Sequence, residues 1–241
     1  MNKDALSNAI IAMADLVTKL RGPGGCPWDA EQTEDTIRMY LLEEAYEVLD
    51  AVERGNSEAV CGELGDLLFQ IIFLARLAEE KGEFDLVRVI DDITEKMIRR
   101  HPHVFGQVTV NSAKEVADNW AKIKKVEKGA SSSISSQLRD VPTGLPALLQ
   151  AHRLSERASK AGWNEPKGQE LWEKLKQGLE DLEQAVTEGK QEHVAEQMGR
   201  LFFHLVNMAR QQGQNAEDLL RKRNLKFLRE FFKRDPNGRS L

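Results

Sequence analysis

Apolar positions recur at spacings of three and four along almost the whole chain, which predicts helices and no sustained strand. The densest patterning runs from Leu41 to Ala75. Leu42, Ala45, Leu49 and Val52 form one stripe; Leu64, Leu67, Leu68, Ile71, Ile72 and Ala75 form a broader one. Arg54-Gly55-Asn56-Ser57 separates them, so the stretch predicts a helical hairpin burying its own seam. Upstream, Leu6, Ile10, Met13, Val17 and Leu20 predict an amphipathic helix ended by Arg21-Gly22-Pro23-Gly24-Gly25, with Cys26-Pro27-Trp28-Asp29 as a loop. Downstream of a break at Lys81-Gly82-Glu83, Leu86, Ile90, Ile93 and Met97 predict another helix, stopped by His101-Pro102-His103. A last helix of this half spans Ser112 to Glu127.

A serine-rich run from Lys128 to Ser136 reads as a linker. Beyond it the pattern repeats. Glu63-Leu64-Gly65-Asp66-Leu67-Leu68-Phe69 aligns with Gln197-Met198-Gly199-Arg200-Leu201-Phe202-Phe203, an offset of 197 − 63 = 134 that also places Gly189 on Gly55. Trp163-Asn164 matches Trp28-Asp29 with one residue of slippage. The expected fold is all-α: two tandem helical bundles, 1–128 and 142–241, joined by a linker at 129–141.

The polar positions add chemistry. Glu43, Glu44 and Glu47 border the stripe of the first hairpin helix, and Glu63 and Asp66 border that of the second. Residues three apart share one side of a helix, so antiparallel packing lets Glu44 and Glu47 face Glu63 and Asp66. Four carboxylates beside an apolar seam repel, shift their pKa values or take up a cation. Hard oxygen ligands suit Mg2+ or Mn2+. A solvated helix face is the plainer alternative for any one pair. Gly62 and Gly65 sit within the second helix, where glycine costs roughly 1 kcal/mol against alanine, so close approach or a bend is expected there.

The two copies part where the chemistry lies. By register Glu44 becomes Gly178, Glu47 becomes Asp181, Glu63 becomes Gln197 and Asp66 becomes Arg200. Lys96 maps to Lys226 but Arg100 to Glu230. The apolar pattern survives while the carboxylates do not, so the carboxylates of the first copy serve something other than the fold.

Composition restricts the setting. The chain has 241 residues, 41% of them hydrophobic, and a net charge of −5, which argues against general nucleic-acid binding. No apolar run approaches 18 residues, and the N-terminus does not read as a signal peptide. Cys26 and Cys61 form no disulfide framework, so a reduced cytoplasm is expected.

Glu43-Glu44-x-x-Glu47 followed by Glu63-x-x-Asp66 resembles the metal signature of the MazG family, as do Gly25-Cys26-Pro27-Trp28-Asp29 and Arg99-Arg100-His101-Pro102-His103-Val104-Phe105. The resemblance implies an all-α nucleoside triphosphate pyrophosphohydrolase: triphosphate plus water gives monophosphate and pyrophosphate, with water attacking the α-phosphorus. It implies Mg2+ held by Glu44, Glu47, Glu63 and Asp66, with Glu43 assisting as base or support. Lys96 and Arg100 would hold phosphate oxygens. Trp120 and Lys124 match a Trp-x-x-x-Lys element used near the nucleotide, and Trp28 is a candidate substrate contact. A tight homodimer is also implied.

Two other classes compete. A di-iron bundle needs Glu-x-x-His, and none of the five histidines has a glutamate three residues before it. A non-catalytic nucleotide sensor or helical dimerisation scaffold remains, with Arg200, Arg221, Lys222 and Arg223 as anion-binding candidates.

Overall fold

The computed structural model describes residues 2–127, 138–163 and 165–234. Positions 129–137 of the expected linker, and Asn164, lie outside the described residues. Every regular element among the described residues is a helix, as the spacing predicts. The chain divides into two compact units, Met1–Lys124 and Lys125–Leu241.

The first unit carries α1 (Lys3–Arg21), α2 (Pro27–Glu31), α3 (Glu34–Arg54), α4 (Ser57–Glu80), α5 (Leu86–Arg100), α6 (Pro102–Phe105) and most of α7 (Ala113–Glu127). The hairpin of α3 and α4 is its largest helix–helix interface. Its turn has local causes. Gly55 ends α3 in the left-handed region at φ 70°, where a side chain would be strained. Asn56 then caps α4 through its side-chain oxygen, which accepts from the backbone N–H of Glu58 and Ala59. At the other end of α3, Thr33 and Thr36 exchange side-chain and backbone hydrogen bonds as a capping box.

The core of this unit sits at one end of the hairpin. Val17, Ile37, Ile72, Phe73 and Leu77 are buried together, with Met13, Tyr40 and Phe69 packed on them. Arg21 fastens this end. Its guanidinium donates to Glu80 at 2.8 Å, to the Gln32 carbonyl at 3.2 Å and to the Asp29 carbonyl, while lying over the Phe73 ring. These bonds hold the Glu80 carboxyl below the usual carboxylate range.

The sequence expectation differs from the structure in three places. Cys26-Pro27-Trp28-Asp29 is not all loop, since α2 begins at Pro27. His101-Pro102-His103 ends α5, but a second short helix, α6, begins at Pro102. The hairpin does not bury its whole seam: Leu42, Leu49, Val52, Leu64, Leu68 and Ile71 are exposed, although their spacing is that of a covered face. On α5, Ile90 and Ile93 are likewise exposed, while Leu86 is partly buried against the core and none of the helix is fully buried.

The second unit carries α8 (Ala147–Lys160), α9 (Gln169–Thr187), α10 (Gln191–Gln211) and α11 (Ala216–Arg234). Here α9 and α10 form the hairpin, turning at Gly189 with φ 69°. Leu171, Leu175, Ala185, Leu201 and Val206 are buried. Glu165 is buried in an ion pair with Arg210, which also donates to Asn207 at 3.3 Å. Among the described residues, no helix is long and apolar enough to cross a membrane.

Candidate metal centre

The middle of the first hairpin gathers the carboxylates. Glu44 on α3 and Glu63 and Asp66 on α4 each place an oxygen within 4.8 Å of the others. Glu44 and Glu63 are half-buried and Asp66 is exposed. Spacing alone explains the geometry: Glu63 and Asp66 stand one turn apart, and the antiparallel hairpin brings Glu44 opposite them. Glu47 stands one turn beyond Glu44, near enough that its charge acts on Glu44 and Glu63, and lies outside the tightest group.

Carboxylates so close cost free energy when all are charged. The Glu44 carboxyl is raised above its ordinary value by burial first, then by the charges of Asp66, Glu47 and Glu63. Glu63 is raised by desolvation, then by Glu47 and Asp66. No cation appears among the causes for either group. The donor set fits a small hard cation. Oxygens across one Mg2+ stand at most about 4.2 Å apart at a bond length of about 2.1 Å. The observed group therefore needs only a small contraction.

The repulsion predicts a pH dependence with a definite sign. Well below the ordinary value of 4.5 the pair adds nothing to unfolding, because both forms hold their protons. As pH rises from the ordinary value through the raised folded values, the unfolded chain loses its protons first and carries the charges more easily, so stability falls. In metal-free buffer, Glu63→Gln is expected to match the wild-type Tm near pH 4 and to exceed it progressively towards pH 7. A Tm difference independent of pH, in scans with EDTA, would contradict the assignment.

The other candidates stand at several places. Glu43 is exposed on α3 and outside the gathered oxygens. Lys96 and Arg100 are half-buried one turn apart on α5, which packs against α4. Trp120 and Lys124 come together on α7, with the Lys124 ammonium 5.7 Å from the Trp120 ring centroid. Trp28 is 62% exposed on α2, and its carbonyl accepts from the Gln32 amide. Gly62 and Gly65 have open space where a Cβ would stand, so no close approach within this chain accounts for them.

His101, read from the sequence as part of a helix stop and of a family motif but given no site role, belongs to this group. The ring of His101 lies 6.0 Å from that of Trp120 and 5.6 Å from that of His103, and its Nδ1 bonds the Met97 carbonyl at 2.7 Å. His101 thus joins the end of α5 to the Trp120 face of α7. Its position beside Pro102, between two other candidates, was the available signal.

In the second unit the same seam is rebuilt. Gly178 stands where Glu44 would, and a Cβ there would lie 2.9 Å from the Leu201 side chain. Gln197 is buried, and its Oε1 accepts from Arg200 at 3.4 Å.

Residues 32–105 match the MazG nucleotide pyrophosphohydrolase domain. The match includes all the candidate carboxylates, Lys96 and Arg100, and ends before Trp120. A nucleoside triphosphate pyrophosphohydrolase of Escherichia coli K12 is 41% identical over 93% of this chain and 86% of its own length. One of Thermotoga maritima, named nucleoside triphosphate pyrophosphohydrolase/pyrophosphatase MazG, is 39% identical over 92% of this chain and 83% of its own. A crystal structure of a mazG-related protein from Thermotoga maritima aligns with a TM-score of 0.42 and 27% identity, covering 47% of this chain and 97% of that one. With identity extending over nearly its full length to these proteins, the chain belongs to the MazG family of nucleotide pyrophosphohydrolases.

Proposed function

We propose that the chain hydrolyses nucleoside triphosphates to the monophosphate and pyrophosphate by water attack at the α-phosphorus, with Mg2+ as cofactor and the site in the first unit. The observation that carries this reading is the convergence of Glu44, Glu63 and Asp66, flanked by Glu47, on one hairpin of a family member. These four carboxylates would hold the cation. When bound, Mg2+ would offset charge developing on phosphate oxygens and favour ionisation of the attacking water.

The chain's own groups complete the site. Glu43, exposed next to Glu44, can accept a proton from water as general base or support its neighbour. Lys96 and Arg100 supply positive charge to the phosphates from α5. Trp120, with part of its face covered by Lys124, offers a stacking surface for the base, and Trp28 offers a second exposed ring. The second unit would then be a degenerate copy. The exposed apolar stripes of α3, α4 and α5 favour a homodimer that covers them, since patches of this kind mark association surfaces.

The test is a nucleotide panel with Mg2+, resolved by chromatography. Monophosphate and pyrophosphate are expected in equal amounts. Diphosphate and inorganic phosphate instead would place the attack at another phosphorus, and no turnover of any triphosphate would favour a sensor or scaffold.

A further inference from the structure

In the second unit the seam has changed sign, and the replacements extend beyond the lost carboxylates. At the offset of 134, Asp66 becomes Arg200, Tyr40 becomes Lys174 and Gln70 becomes His204. Arg200 and His204 are four residues apart on α10 and therefore share one face. Lys174 lies on α9, the partner helix of the hairpin, close enough that its charge and that of Arg200 both act on the His204 ring.

Among the described residues, neither Arg200 nor Lys174 has a carboxylate in ion-pair range, whereas Arg153, Lys160, Lys190, Arg210 and Lys222 of the same unit each do. Arg200 bonds only Gln197, a neutral amide that is 3% exposed. His204 has a buried Nδ1 with no hydrogen-bond partner. A guanidinium, an ammonium and an imidazole thus stand about a buried amide, while Asp181, the carboxylate kept on α9, accepts from Gln177 at 3.0 Å and pairs with none of them. Arg200 and Lys174 are exposed, so an anion can reach both from solvent.

We infer that the α9–α10 seam binds the phosphate group of a small anion without metal, through Arg200, Lys174 and His204 with Gln197 at its floor. Positive side chains stand here in the place of the metal of the first unit. Arg200 presents a planar fork suited to two phosphate oxygens, and Lys174 adds a point charge from the opposite helix. The donors recognise phosphate oxygens, so free pyrophosphate and the phosphates of a nucleotide are both suited. The inference is independent of the reaction assigned to the first unit.

The experiment is isothermal titration of the full-length protein in EDTA, with inorganic pyrophosphate in one series and ATP in another. Chelation removes the metal from the first unit, whose bare carboxylates repel both ligands. Binding of one anion per chain is expected, at least tenfold weaker in Arg200→Ala and in Lys174→Ala, with Arg200→Lys between them and wild type. Equal affinity for the two ligands assigns the site to bare polyphosphate; tighter ATP assigns it to a nucleotide. Circular dichroism melting shows that each variant is folded. Absence of binding at millimolar concentration of either anion overturns the proposal. So does binding that folded Arg200→Ala and Lys174→Ala leave unchanged.

Discussion

Asp66→Ala is expected to lower Mg2+-dependent hydrolysis by about a thousandfold while leaving the protein folded. Asp66 shares a 4.8 Å group with Glu44 and Glu63. A unit charge at about 4 Å, with an effective dielectric near 20, is worth roughly 4 kcal/mol for each charge on the cation. Losing that much for even one of the two charges on Mg2+ is about three powers of ten in metal affinity. Asp66 is exposed and has no hydrogen bond to backbone or core, so its removal opens no cavity. The same substitution takes one source of repulsion from Glu44 and Glu63. It is therefore expected to raise Tm in EDTA even as it removes activity. Steady-state rates at fixed Mg2+ and a melting scan check both halves. An Asp66→Ala protein with the wild-type rate would show that these carboxylates are not the metal ligands.

The opposed signs of those two effects separate a functional cluster from a structural one. A structural ion pair such as Glu165 with Arg210 stabilises the fold, and breaking it exposes a buried charge without a partner. Glu44, Glu63 and Asp66 oppose the fold in the absence of a cation. A cation that favours all three ionised is the use proposed for them.

Much of this was legible in the chain because helix periodicity fixes which residues share a side. The carboxylate meeting follows from two i, i+3 pairs and a short turn, so Glu44, Glu63 and Asp66 could be placed together from spacing. The helices α2 and α6 could not be found that way. At five and four residues they are too short to show a period, and each is set by a proline at its first turn. Nor could periodicity tell whether a stripe is covered. Leu42, Leu49, Leu64 and Leu68 read as core and are exposed, because the pattern records which residues share an apolar face and not whether packing covers it. Lys174 and His204 escaped notice for a third reason. They lie outside the positions equivalent to the carboxylates: His204 shares a face of α10 with Arg200, and the packing of α9 on α10 brings Lys174 to them.

The second large effect concerns which unit turns over substrate. A full-length Glu63→Gln/Asp66→Asn protein is expected to release no pyrophosphate above background, because the second unit has no equivalent site to fall back on. Gln197 can offer one neutral oxygen, and it is already engaged by Arg200. Arg200 would stand beside any cation there, at a cost of about 4 kcal/mol per unit charge on the metal by the same arithmetic. The third obstacle is steric and could not be read from residue types alone. A glutamate at position 178 would begin with a Cβ 2.9 Å from the Leu201 side chain, which is itself buried between the helices. Adding Gln197→Glu and Arg200→Asp to the inactive protein is thus expected not to restore turnover, since position 178 opposite them still lacks a carboxylate. Pyrophosphate release by the two proteins, measured beside wild type at saturating Mg2+, checks this. Hydrolysis by the Glu63→Gln/Asp66→Asn protein at a rate near wild type would locate the reaction in the second unit, and recovery on changing positions 197 and 200 alone would show that no carboxylate is needed at position 178.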